Sequence, residues 1–274
     1  MMVTLTGFAD EISADLEEQM DLLSSEGISH IELRSVWQTN VMKLSDEQAA
    51  KIKERLDARG FHISSIGSPI GKYSVRDDFS PQLADLKRAI ELARYFGAQY
   101  IRIFSYYIPE GEPAANYRDE VLSRMSRLAQ MAEQHNVILL LENESGVYGD
   151  TDDRYLDLLQ SCQSPNLRSA FDPGNFVMNR VRPVTDAYPK VESFIEYIHV
   201  KDANREARQF VPAGVGDGQL KELLLALKKR RFSGFLSVEP HLQKYMPDST
   251  NPERFRTAIH AIKKLLDETG LEWN

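Results

Sequence analysis

The sequence predicts an α/β protein folded as a single (β/α)8 barrel, one domain spanning residues 1–274. Three observations carry that prediction. Strand-like and helix-like segments alternate strictly from end to end, and the length is close to the ~250 residues of a typical barrel of this kind. No glycine- or proline-rich linker divides the chain. Eight units in 274 residues average about 34 each, the size of one βα repeat. A doubly wound sheet usually leaves an irregular seam, which this regular spacing lacks.

The strand candidates are short apolar runs: VTLTGF (3–8), SHIELR (29–34), FHISSIG (61–67), QYIRIFS (99–105), VILLLE (137–142), NLRSAFD (166–172), YIHVK (197–201) and FLSVE (235–239). Helical stretches are expected at 14–26, 45–59, 79–96, 116–135, 151–163, 184–196, 217–231 and 251–268. Their apolar residues recur every three or four positions, as in Leu83, Leu86, Ile90 and Ala93. Ser45, Asp46 and Glu47 make a helix start, and Gly60 and Gly97 stand where helices should stop. The longest non-helical connections follow strands three, four, seven and eight. Loops in that position build barrel active sites, whereas loops that precede strands are short and structural.

Composition narrows the functional classes. At 42% hydrophobic and 27% charged residues, the chain can bury a large core without disulfides or a structural metal. A net charge of −8 with no basic block argues against nucleic-acid binding, which relies on displacing counterions. Cys162 is the single cysteine, so neither an internal disulfide nor a cysteine-based zinc site can form. The start MMVTLTGFADEIS lacks the pattern of a signal peptide, and no apolar run approaches ~20 residues. The expectation is a soluble cytoplasmic protein with no membrane partner.

Four consecutive strand candidates end in Glu142, Asp172, His199 and Glu239. Two Glu, one Asp and one His form a common hard-to-borderline ligand set for a divalent cation. Parallel strands of a closed sheet bring their C-terminal ends to one mouth, so residues far apart in sequence can meet at one ion. A single charged strand end is as readily a rim cap, but four in succession are harder to dismiss. Three clustered carboxylates repel one another and raise their pKa values, a conflict that a bound dication removes.

The segments LLLENE, FDPGNF, HVKDAN, SVEP and PAGVGDG resemble those of the xylose isomerase-like TIM barrels. That family includes tagatose and psicose 3-epimerases, inosose isomerases and dehydratases, and hydroxypyruvate isomerases. The resemblance covers nearly the whole chain, and the order Glu, Asp, His, Glu is its specific part. It implies one divalent ion, Mn²⁺ first and otherwise Mg²⁺, Zn²⁺ or Co²⁺, bound by Glu142, Asp172, His199 and Glu239. The chain departs from the pattern at Asn175, where many members place a His; Asn can hydrogen-bond a sugar hydroxyl but is a weak ligand. Arg205 matches a substrate-contacting Arg of the epimerases. A DNA-repair branch of the fold uses three zinc ions, and with six His in all this chain is short of ligands for that.

The implied activity is isomerisation or epimerisation of a keto sugar or inosose. A metal-polarised carbonyl acidifies the neighbouring C–H, and an enediolate follows. Glu142 and Glu239 are assigned as the acid/base pair on opposite faces of the substrate. Departure of a β-hydroxyl from the same enediolate makes the alternative a lyase: an inosose or 3-dehydroshikimate dehydratase, or a C-glycoside deglycosidase subunit. Lys201, His241, Glu32, Asn175 and Arg205 are candidate substrate contacts, with Asn143 and Glu144 as orienting groups. Phe8, Trp37, Tyr73, Tyr106, Tyr107, Tyr148 and Phe176 crowd the same loops, where a few can face a sugar ring. The loop from Gly214 to Gly218 is a poor phosphate cradle, which favours an unphosphorylated sugar or cyclitol. Relatives often form dimers or tetramers, so a homo-oligomer is expected.

Overall fold

Eight parallel strands curl into one sheet in the computed structural model, which describes residues 2–274. They are β1 (Met2–Gly7), β2 (His30–Leu33), β3 (His62–Ile66), β4 (Tyr100–Ile103), β5 (Ile138–Glu142), β6 (Leu167–Phe171), β7 (Ile195–Val200) and β8 (Phe235–Val238). Paired ladders run from β1 through β8, β7, β6, β5, β4 and β3 to β2. β1 and β2 pack side by side and close the ring. The free edge of β1 takes a short parallel strand from the C-terminus, Glu272–Trp273. There the Leu5 amide donates to the Asn274 carbonyl at 2.8 Å, and the Asn274 amide to the Val3 carbonyl at 3.0 Å. The architecture is a TIM barrel.

The outer layer is built from α1 (Leu16–Ser25), α2 (Asp46–Ala58), α3 (Ser80–Phe96), α4 (Arg118–His135), α5 (Asp152–Ser161), α6 (Pro173–Met178), α7 (Tyr188–Val191), α8 (Leu220–Lys229) and α9 (Asn251–Thr269). Local chemistry sets several boundaries. Ser45 and Gln48 form a reciprocal capping box that starts α2, and Thr250 and Glu253 do the same for α9. α3 ends at Gly97, whose φ of 72° lies in the left-handed region that glycine adopts without penalty.

The expected helix at 184–196 does not form as one piece. A single wide turn at Pro183–Ala187, the short α7 and a 3-10 turn at Glu192–Phe194 replace it, and β7 already begins at Ile195. Pro183 and Pro189 remove backbone donors at successive points, which breaks the helical ladder. α6 lay outside the expected helices. Asp172 caps it and Pro173 opens it, a favourable start that the longer apolar pattern around it obscured.

Strand alternation decides which side chains enter the barrel. Leu140, Ala170 and Tyr197 form an inner cluster with Tyr100, Ile138 and Phe235, apart from the main core between sheet and helices. Thr6 and Ser64 meet across the inside at 2.8 Å, and Ser64 meets the Tyr197 hydroxyl at 2.9 Å. Counting two residues on from Leu140, Ala170 and Tyr197 reaches Glu142, Asp172 and His199. Counting two on from Ser237, which donates to Glu32 inside the barrel at 2.6 Å, reaches Glu239. The apolar lower layer therefore fixes the orientation of the polar layer above it.

Candidate metal centre

Glu142, Asp172, His199 and Glu239 converge at the C-terminal mouth, each offering a ligand atom within 4.8 Å of the others. All four are buried, His199 and Asp172 completely. Nδ1 of His199 lies 3.4 Å from Glu142 Oε2 and 3.8 Å from Asp172 Oδ2. Its other nitrogen, Nε2, faces Glu32 Oε2 at 3.3 Å, and Glu32 is itself held by Ser237. The edge of the Phe8 ring, 5.3 Å away between centroids, packs against the imidazole.

Each carboxylate commits at least one oxygen to the protein. Arg102 donates to Glu142 Oε2 at 3.2 Å, and Arg34 donates to Glu239 Oε1 at 2.8 Å. Asp172 Oδ1 accepts from the Asn175 amide at 2.8 Å and so caps α6. The backbone of Asp172 is pinned as well. The Asn143 side chain accepts from its amide at 2.9 Å and donates to its carbonyl at 2.8 Å. Asn175 Nδ2 donates to Glu142 Oε1 at 3.1 Å and to the Asn143 carbonyl at 3.0 Å.

The uncommitted atoms have a common address. Asp172 Oδ2, Glu239 Oε2 and His199 Nδ1 are buried there without an aligned hydrogen bond, as is His199 Nε2 on the Glu32 side. Orphaned donors and acceptors of this kind are rare in folded interiors and call for a partner. Lys201 Nζ stands beside two of them, 2.8 Å from Asp172 Oδ2 and 2.5 Å from Glu239 Oε2, off the hydrogen-bonding direction of each. The donor set of carboxylate oxygens and one imidazole suits a divalent cation, and this buried cluster can hold one.

The electrostatics are those of interlocked charges. Burial alone would push the Glu142 carboxyl up, but His199 and Arg102 outweigh it and hold the group at about 2. Burial likewise opposes ionisation of Glu239, and Lys201 with His241 holds it well below the usual carboxylate range. Burial would push His199 and Lys201 down; Glu142 and Glu32 raise the first, and Asp172 and Glu239 raise the second, well above their ordinary values.

The structure thus brings together Glu142, Asp172, His199, Glu239, Lys201 and Asn175, with His241 at the rim 3.2 Å from Glu239 Oε1. Glu32 lies beneath this group, fully buried behind His199. Arg205 stands elsewhere, in an open groove on the outer flank with Arg182, Lys221 and Lys264. Its backbone amide donates to Asp217 at 2.8 Å. The amides of Gly214, Gly216 and Gly218 turn inward onto the buried Asp202 carboxylate, at 2.8, 3.1 and 2.7 Å. Of the aromatics named from the loops, Phe8 touches His199, whereas Tyr106 and Phe176 are buried in the core.

Sequence reasoning missed Arg34, Arg102 and Phe210. Arg34 ends the second strand run as the acidic ligands end theirs, whereas Arg102 lies inside the fourth run, where its position gives no such signal. Arg102 is stacked between Phe8 and Phe104, 4.7 and 4.8 Å from their ring centres. Phe210 sits on a short hairpin, Asp202–Asn204 paired with Gln209–Val211, that folds over the mouth. Its ring lies 5.3 Å from Lys201 Nζ and 5.5 Å from the His241 ring. No periodic pattern marks such a hairpin.

Comparison with known proteins bears on the family and the fold. A 3-dehydroshikimate dehydratase of Bacillus anthracis is 26% identical over 129 residues, covering 47% of this chain and 46% of that protein. The chain spans about half the length of the curated relatives it matches. Among solved structures, a D-tagatose 3-epimerase-like protein superposes with a TM-score of 0.78 at 19% identity, covering 98% of each chain. The IolI protein, solved with a zinc atom, gives 0.77 at 16% identity, covering 98% of this chain and 99% of that one. At such identities the structural likeness shows the fold. The model of the xylose isomerase-like TIM barrel family matches residues 20–272, and the chain belongs to that family.

Proposed function

We propose that the protein is a divalent-metal-dependent isomerase or epimerase of an unphosphorylated keto sugar or inosose. The observation that carries this reading is the pairing of Glu142 and Glu239 within one buried Glu, Asp, His, Glu cluster at a barrel mouth. Glu142, Asp172, His199 and Glu239 would hold the ion, Mn²⁺ first among the candidates. When bound, the ion supplies a Lewis acid for the substrate carbonyl. Relatives by fold are named as a tagatose 3-epimerase-like protein and an L-ribulose 3-epimerase, in keeping with a sugar substrate.

The chain's own groups then move protons. One of Glu142 and Glu239, ionised, takes the proton from the carbon beside the carbonyl, leaving an enediolate, and the other, entering the cycle protonated, gives its own proton to carbon. Delivery to the opposite face of the same carbon epimerises; delivery to the former carbonyl carbon, with the hydroxyl proton moving to the former carbonyl oxygen, isomerises. The cations that hold Glu142 near 2 keep it ionised and also make it a weak base. Its task therefore requires a strongly acidified C–H. Glu32 and Asn175 hold His199 and Glu142 in place, and Lys201, His241 and Asn175 offer donors to substrate oxygens. The glycine loop is filled by Asp202, which supports a substrate without phosphate.

The relative named as a 3-dehydroshikimate dehydratase supports a second reading, in which the enediolate expels a β-hydroxyl. Incubation with keto sugars and inososes in D₂O with Mn²⁺ separates the two. Deuterium in recovered substrate or its isomer supports the first, and a new enone or enol absorbance supports the second. E142Q and E239Q should each lower turnover by about 10²-fold or more with an unchanged circular dichroism spectrum. Full activity in either variant removes that residue from the acid/base role.

A further inference from the structure

The three carboxylates of the cluster share one arrangement. Glu142 gives Oε2 to Arg102, Glu239 gives Oε1 to Arg34, and Asp172 gives Oδ1 to the amide that opens α6. The remaining oxygens of Glu239 and Asp172 turn toward Lys201, and that of Glu142, which accepts from Asn175 Nδ2, lies farther from it. The lysine Nζ lies 2.5 Å from Glu239 Oε2, 2.8 Å from Asp172 Oδ2 and 4.0 Å from Glu142 Oε1. Arg34 and Arg102 approach from outside the cluster, whereas Lys201 rises from β7 into its centre, two residues beyond His199.

The stem of this lysine is held. Lys201 is 4% exposed, and α6 packs on it so closely that a Cβ added at Gly174 would stand 2.8 Å from Lys201 Cγ. The head is less constrained. Its Nζ lies 3.4 Å from Asn175 Oδ1, and the ring of Phe210 stands 5.3 Å from it on the hairpin side. The four-carbon stem carries a compact charge that can shift toward that amide and ring face without leaving the site.

We infer that Lys201 is a built-in counter-cation that antagonises the divalent ion at the cage of Glu142, Asp172, His199 and Glu239. The inference rests on reading that cluster as a metal centre. With no ion bound, the ammonium neutralises carboxylates that would otherwise repel one another in a buried site. With an ion bound, the two cations share the same oxygens and oppose each other, so the metal is held exchangeably rather than locked in. Shielding by the carboxylates reduces the opposition but does not reverse its sign.

The test is Mn²⁺ binding by isothermal titration calorimetry, beside thermal melts in EDTA and in excess Mn²⁺. K201M should bind Mn²⁺ roughly tenfold or more tightly than wild type, since a neighbouring cation weakens a carboxylate's hold on its proton by about ten- to a thousandfold and opposes a dication with the same sign. Its melt in EDTA should fall below wild type, and its upshift on adding Mn²⁺ should be the larger. If K201M does not fold, K201Q carries the same expectation, because its amide keeps donors for Asp172 and Asn175 without the charge. Equal or weaker Mn²⁺ binding by the neutral variants overturns the inference and leaves the metal centre standing. Absence of Mn²⁺, Mg²⁺ and Zn²⁺ binding by the wild type overturns the metal reading itself.

Discussion

Asn175 shows how a single side chain can be read differently before and after its neighbours are known. In the sequence it is a departure from a family His and a candidate for a sugar hydroxyl. In the fold its side-chain amide bridges the Glu142 carboxylate and the Asn143 carbonyl, while its backbone amide donates to the Asp172 carboxylate that caps α6. It ties β5 to the start of α6 and sets the angle at which Glu142 enters the cluster. N175A deprives Glu142 Oε1 of its nearest donor, leaving Lys201 at 4.0 Å. Turnover should fall about 10–100-fold at saturating metal, the usual cost of losing a group that orients a ligand. Steady-state kinetics checks this, and unchanged turnover would mean that Arg102 alone sets the Glu142 geometry. N175D should be worse than N175A, because it places a second carboxylate against the first.

At the scale of elements, the barrel strands were legible because their apolar runs are short and bounded, and their alternation follows from what lies beneath. The four cluster residues could be listed from strand ends alone for the same reason. What escaped were elements with no period to detect. The hairpin carrying Phe210 is held by a buried carboxylate rather than by its own pattern, and the C-terminal strand is two residues long. The stretch 184–196 shows the reverse error, a helical apolar period overruled by two prolines. Asp202 makes the loop argument testable. Its oxygens accept from four backbone amides, those of Ala203, Gly214, Gly216 and Gly218. A Cβ at Gly216 or Gly218 would come within 2.5 Å of Oδ1, so the glycines are needed for the amides to reach it. D202N replaces one acceptor oxygen with a donor and strands the amides it faced. It should cost about 2–4 kcal/mol by urea denaturation, from unsatisfied buried donors. Protease cleavage should then concentrate in the loop between 203 and 218; an unchanged midpoint would show that the loop holds itself.

For the whole molecule, a barrel must join its last unit to its first, and here the join is made twice. Within the sheet the C-terminal strand lies along β1, and Thr4 donates to the Asn274 side chain at 2.8 Å. On the outside Glu26, which ends α1, meets α9 through Lys263, Arg256 and His260, at 2.8, 3.2 and 3.2 Å. Lys263 also donates to the Glu26 carbonyl, a cation placed at the negative end of a helix. Burial alone would raise the Glu26 carboxyl, but Lys263 and then His260 outweigh it and hold the group below the usual carboxylate range. A carboxyl whose pKa is lower in the folded chain than in the unfolded one adds stability above the unfolded value. It loses that contribution as pH falls through the folded value. E26Q should therefore cost about 1 kcal/mol at about pH 7, a modest figure because Arg256 and His260 are substantially exposed and screened by solvent. The gap from wild type should close as pH falls through the lowered folded-state value, once the wild-type carboxyl is itself protonated. Urea melts of both proteins across that range measure it. A gap that persists undiminished in acid would assign the effect to packing between α1 and α9 rather than to charge.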